Sequence, residues 1–162
     1  MTGLAARIVP DLCESGGLYE HGGMGRREML AEWPGVVPDA AIGEAGWWPA
    51  GEAETAEATV YARAQRAVGR LLGEHLAANQ TVIVVTHGRF CGVFISAMLG
   101  LGPAGYTRFP MENCALSRVD FQAFADVAAY PPPDPAHAPD EITAVRLRFH
   151  NRTEHIPADR VT

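Results

Sequence analysis

The sequence predicts an α/β fold of three layers, with a mostly parallel sheet flanked by helices and an antiparallel strand pair closing the chain. Three observations predict it. A long amphipathic stretch at about 54–78 runs into TVIVVT (81–86), a β-branched run with no polar–apolar alternation. A tight Thr86-His87-Gly88 turn then opens a second helical stretch. Two alternating segments follow towards the C-terminus. Helix, buried strand, turn and helix together make an α/β unit with a parallel sheet.

In chain order, residues 8–9 read as the end of a strand, and a glycine-rich loop runs from Ser15 to Gly25. RREMLAEW (26–33) reads as a short helix stopped by Pro34-Gly35. The irregular stretch after it holds Gly46, Trp47, Trp48, Pro49 and Gly51, and its paired tryptophans need burial as a lid or a packed flap. Within 54–78, Val60, Ala64, Ala67, Val68, Leu71, Leu72 and Leu76 recur at helical spacing as one apolar stripe. Arg63, Arg66, Arg70 and Glu74 are its expected polar partners. TVIVVT, apolar on both faces, reads as a central parallel strand. The second helix covers Arg89 to Leu99 and ends at Gly100-Leu101-Gly102-Pro103. Ala115, Ser117, Val119 and Phe121 share one face of the first closing strand. Val145, Leu147 and Phe149 share one face of the second, with Arg146, Arg148 and His150 opposite. The proline-rich stretch 129–141 between them reads as an exposed loop.

A chain of 162 residues fits one domain spanning 1–162, and 48% hydrophobic residues can build its core. The 19 acidic and 13 basic residues leave a net charge of -6, which argues against nucleic-acid or anionic-membrane binding. Every one of the 13 cations is arginine. A Schiff-base lysine and a P-loop lysine are therefore excluded, and a bound anion must be held by arginine or a protonated histidine. Cys13, Cys91 and Cys114 are odd in number and form no CxxC, so neither a disulfide framework nor a zinc knuckle is indicated, and no cofactor or metal is expected. The N-terminus lacks a long apolar core of the signal-peptide kind. The most apolar stretch, 82–101, is interrupted by His87, Arg89 and glycines and falls short of a membrane span. A soluble cytoplasmic protein is expected.

The best place for chemistry is Thr86-His87-Gly88-Arg89. A histidine at the carboxyl end of a strand, beside a helix start, sits where open α/β sheets bind ligands. The helix start suits phosphate, and Gly88 leaves the backbone open to an anion. Glu14, beside a Gly-Gly turn in an apolar context, is a candidate general acid. Arg26 and Arg27 follow a glycine-rich loop, and one of them is positioned to clamp a phosphate bidentately. Consecutive residues point apart on a helix, so both do not share the task. His21, His75 and His137 read as loop or structural residues, and His150 and His155 form no metal set. Cys91, four residues from His87, offers a weaker Cys–His alternative.

With these residues in hand, the chain resembles the histidine phosphatase superfamily (phosphoglycerate-mutase-like) almost end to end. PDLCESGGLYE is similar to the segment carrying that family's acidic proton donor, at Glu14. GWWPAGEAETAEATVYARAQRAVGRLL is similar to its acidic-plus-Thr/Ser entry and arginine-bearing helix, at Glu54, Thr55 and Arg63. TVIVVTHGRFCGVFISAMLGL is the most specific match, and it implies that His87 contacts the transferred phosphoryl group. FPMENCALSRVDF and AVRLRFHNRTEHIP resemble the closing strands, with Asn113 and His155 at familiar positions.

The resemblance also marks a departure. The family opens with a strand ending in Arg-His-Gly, whose histidine is phosphorylated, and a later helix adds another phosphate-binding arginine. No Arg-His-Gly occurs here, and His21-Gly22, without a preceding strand, is a poor replacement. The expectation is a domain incomplete at its N-terminus, with the first family strand missing. That strand pairs beside 82–86 in the family, so its loss implies an open apolar edge. A truncated chain, pairing with another copy in a homo-oligomer, or a rearranged sheet would each answer it.

The implied function is a phosphatase or phosphomutase acting on small phosphomonoesters, catalytically impaired or inactive without the nucleophile. In such a site Glu14 protonates the leaving oxygen, and His87 with Arg26 or Arg27 stabilises the phosphoryl charge. The alternative is a non-catalytic module that binds a phosphorylated ligand or a partner.

Overall fold

A computed structural model describes residues 5–16, 22–48, 54, 56–78, 80–103, 108–123 and 143–161. The proline-rich stretch, His21, Thr55 and His137 lie outside these described residues. In chain order the elements are β1 (Ala6–Ile8), α1 (Arg26–Glu32), β2 (Val36–Pro38), α2 (Glu57–His75), α3 (Gly88–Met98), β3 (Leu116–Ala123) and β4 (Thr143–Arg152). The mixed α/β class read from the sequence is observed. No helix among the described residues is long and apolar enough to cross a membrane.

The core lies between α2 and α3. Val60, Ala64 and Ala67 of α2 meet Phe90, Val93 and Phe94 of α3. The two small alanines leave room on α2 for the α3 aromatics, and Phe90 and Phe94 stack with centroids 5.7 Å apart. Burying such side chains contributes roughly 1.5–3 kcal/mol each. Helix α1 ends where expected: Trp33 donates its N–H to the Met29 carbonyl, and Pro34 then keeps Trp33 out of the helical region. Helix α3 ends in a Schellman turn. Gly100, at φ +67°, donates to Ala97 O, and Leu101 donates to Ser96 O at 3.0 Å.

Two small sheets are present among the described residues. Strands β1 and β2 run parallel, with Ala6 opposite Val36 and Ile8 opposite Pro38. Strands β3 and β4 form the expected antiparallel pair, with Val119 opposite Leu147 and Phe121 opposite Val145. Its register shifts between Leu116 and Val119, and Asn151 on the opposite strand takes a left-handed φ of +55° there.

Segment 81–87 departs from the expected central strand. It has no regular secondary structure, and none of the described residues pairs with it. From Ile83 onward exposure alternates, whereas Thr81 and Val82 are both exposed. Val84 packs on the α2–α3 core and Thr86 Oγ donates to Leu12 O at 2.6 Å. Ile83 and Val85 point outwards, 78% and 87% exposed. The physical reason is that an apolar run becomes a strand only through a neighbour's hydrogen bonds, and among the described residues none pairs with it.

Candidate active site at the amino end of helix α3

His87 caps α3 with extended backbone (φ -107°, ψ 158°), and its side chain is exposed. Gly88 begins the helix. A Cβ built there would meet only Met111 O, at 3.7 Å, so packing within the chain does not demand glycine; openness to solvent is what the position offers.

Glu14 reaches the same helix end through its carboxylate. Its Oε1 accepts the N–H of Phe90 at 3.0 Å and that of Ser15 at 2.8 Å. Phe90 is the third residue of α3, so this carboxylate rests on a donor that helix geometry leaves unpaired, at the positive end of the helix dipole. The two sequence-predicted residues, His87 and Glu14, are thus brought to one turn.

Behind them lies Arg63. Expected on the polar face of α2, it is only 4% exposed. Its spacing gives the signal that composition hides: position 63 falls on the Val60–Ala64–Ala67 stripe. All five guanidinium N–H groups are used. Nε and Nη2 grip the Glu54 carboxylate, the latter at 2.6 Å. Nη1 donates to Asp11 O at 2.8 Å and Cys13 O at 2.9 Å, and Nη2 also donates to Glu14 O at 3.3 Å. The guanidinium lies over the Phe90 ring, 4.2 Å from its centroid.

Arg26 spends its side chain on backbone: Nε donates to Ile42 O at 3.1 Å, and Nη2 to the carbonyls of Pro38 and Asp39. Arg27 is exposed on α1. Arg89, in the first turn of α3, lies against Gly16, where φ is +78° and a Cβ would come within 2.7 Å of Nη1. His155 donates from Nε2 to Cys114 O at 3.0 Å, and Asn113 is exposed in the same turn. His75 pairs with Gln80, and His150 bridges Ser117 and Pro110 O.

Burial pushes the Cys91 thiol up to about 11, and the negative charge of Glu14 adds to the effect. An activated nucleophile needs the opposite shift. No three His, Cys, Asp or Glu side chains among the described residues are grouped to hold a metal ion.

A cleft of about 340 Å³ opens beside this turn, between the β1–Cys13 segment and residues 85–87. His87, Arg7, Cys13, Trp33 and Trp47 are in its wall. Glu14, Arg26 and Arg27 are not part of that lining. Sequence reading had no access to the contribution of Arg7 and Trp47, because strand β1 and the tryptophan loop meet the cleft from distant parts of the chain.

A histidine at the N-cap of α3, a carboxylate on the same helix turn and an arginine-anchored loop meet at one end of this α/β protein. The chain belongs to the histidine phosphatase superfamily (branch 1), whose family model matches residues 1–127. A probable phosphoglycerate mutase GpmB of Yersinia enterocolitica is 43% identical over 47 residues, 29% of this chain and 22% of that protein. A second probable phosphoglycerate mutase GpmB, of Erwinia tasmaniensis, is 41% identical over 44 residues, 27% of this chain and 20% of its own length. The chain thus spans about a fifth of the curated relatives it matches. No solved structure matches it.

Proposed function

We propose that the chain forms the phosphoester pocket of a histidine-phosphatase-type protein that takes small phosphomonoesters. The observation that carries this reading is the meeting of His87 and Glu14 on the first turn of α3. His87 and the helix N–H groups receive the phosphoryl group, Gly88 keeps that backbone approachable, and Glu14 is the proton donor to the leaving oxygen. Arg26 is committed to backbone carbonyls, which leaves Arg27 as the candidate clamp of the pair. The relatives' name, phosphoglycerate mutase, fits a small phosphorylated substrate.

These 162 residues contain no Arg-His-Gly run. His87 serves as a phosphoryl-binding residue in this reading, and turnover by this chain alone is expected to be low because the family's phosphorylated Arg-His-Gly histidine has no counterpart in it. The three-layer arrangement belongs to the same proposal, and 82–86 becomes an inner strand of it only when another strand pairs beside it. A second reading, a phospho-ligand- or partner-binding module, is favoured by the outward Ile83 and Val85, which suit pairing with another copy.

Calorimetric titration with inorganic phosphate, paired with a p-nitrophenyl phosphate assay, tests the reading. Phosphate is expected to bind, and His87→Ala to weaken it at least tenfold, with hydrolysis near background. Equal binding by wild type and His87→Ala sinks the pocket assignment, and rapid hydrolysis overturns the impaired-activity reading.

A further inference from the structure

We propose that Arg63, locked by Glu54, is a positioning residue that sets where Glu14 stands on helix α3; the inference rests on the reading of Glu14 as the proton donor. Four consecutive carbonyls lead into that carboxylate, and every one is held from outside its own segment. Arg63 takes those of Asp11, Cys13 and Glu14, and Thr86 Oγ takes that of Leu12. Within the segment, the Leu12 and Cys13 N–H groups close back on Val9 O and Pro10 O. The backbone approaching Glu14 has no slack.

The arrangement is more elaborate than helix packing requires. Position 63 lies among Val60, Ala64 and Ala67, where an aliphatic side chain would pack without the desolvation cost of a buried ion pair. What the arginine adds is a planar fork that grips several oxygens in fixed geometry. Its grip joins the two ends of one contact. Arg63 holds the Glu14 carbonyl through Nη2 and covers the Phe90 ring, while the Glu14 carboxylate accepts the Phe90 N–H. Thr86, the second anchor, immediately precedes His87. One clamp therefore fixes both residues of the proposed acid and phosphoryl-binding pair, and a functional group held this way needs its supporting shell intact.

Glu54 belongs to the device. Its carboxylate takes Nε and one Nη2 proton, which orients the fork so that the remaining donors face the 11–14 segment. Glu54→Gln keeps the shape and removes the charge. Arg63→Lys keeps the charge and removes the fork.

The test combines amide hydrogen exchange at Phe90 with calorimetric phosphate binding across pH, in wild type, Arg63→Lys, Glu54→Gln, Thr86→Val and Glu14→Gln. In variants with wild-type circular dichroism, exchange at Phe90 is expected to speed at least tenfold and the pH profile of phosphate binding to shift towards that of Glu14→Gln. Glu54→Gln and Thr86→Val keep the question open to refutation if Arg63→Lys does not fold. Unchanged Phe90 exchange and an unchanged pH profile in folded variants overturn the positioning role. A Glu14→Gln profile identical to wild type, with Phe90 exchange still dependent on Arg63, instead overturns the proton-donor reading and with it the functional part of the proposal.

Discussion

Glu14 Oε1 accepts the Phe90 N–H at 3.0 Å across 76 residues of sequence, so the loop carboxylate completes the first turn of a helix it is not part of. This single hydrogen bond joins the proposed acid to the core, because Phe90 is fully buried between α2 and α3.

Glu14 is therefore structural as well as a candidate acid. Glu14→Ala is expected to lower stability by about 1 kcal/mol, the ordinary effect of losing a helix cap. Urea unfolding of the two proteins measures it, and a change confined to the slope rather than the midpoint would contradict the assignment.

The Arg63–Glu54 pair makes a sharper forecast. Arg63→Met alone leaves the Glu54 carboxylate buried and uncompensated and should cost about 3–5 kcal/mol. Adding Glu54→Leu to that variant should recover part of the loss. A double-mutant cycle by thermal melting reads the coupling, and additive losses would show that the two side chains do not act as a unit.

Cys91 should behave as an inert thiol. With its ionisation moved from 9.0 to about 11, first by burial and then by Glu14, about one thiol in a thousand is ionised at pH 8. Exposed Cys114 is expected to take up iodoacetamide well before Cys91, as peptide mass mapping can show. The unfolded thiol releases its proton at lower pH than the folded one, so this group's contribution makes stability fall between about pH 9 and pH 11. Cys91→Ala should flatten that fall.

Neighbours in segment 81–87 should respond oppositely to truncation. Val84→Ala, facing the core, is expected to cost about 1–2 kcal/mol. Val85→Thr, facing solvent, should stay within about 0.5 kcal/mol of wild type. Equal losses would mean that the outward face is covered.

Much of the fold was legible from periodicity. Helix α2 begins three residues inside the expected 54–78 span and finishes with a short 3-10 turn at Leu76–Ala78; α3 is displaced by one residue from Arg89–Leu99. The antiparallel pair β3–β4 followed from alternation, because its apolar positions face one another across the strands, Val119 opposite Leu147 and Phe121 opposite Val145. For TVIVVT periodicity was not enough, since none of the described residues pairs with it. An apolar run records what a segment tolerates, whereas a strand exists only in relation to a neighbour. In the site, His87 was legible because a strand-to-helix turn is local. Glu14 was recognised by its segment, but its partner Phe90 is set by tertiary packing. The sequence offers either Arg26 or Arg27 as a phosphate clamp, and the carbonyls of Pro38 and Ile42 that Arg26 holds lie 12 and 16 residues away in sequence, where no local pattern marks them.

All three tryptophans of the chain gather at one place. Trp33 and Trp47 are in the cleft wall, and Trp48 meets Trp47 edge-on at 5.7 Å. Because no indole lies elsewhere, the intrinsic fluorescence of this protein is an optical reporter of the cleft alone. Its emission can follow occupancy of the pocket without any attached dye, and it will say little about events at the β3–β4 end of the molecule.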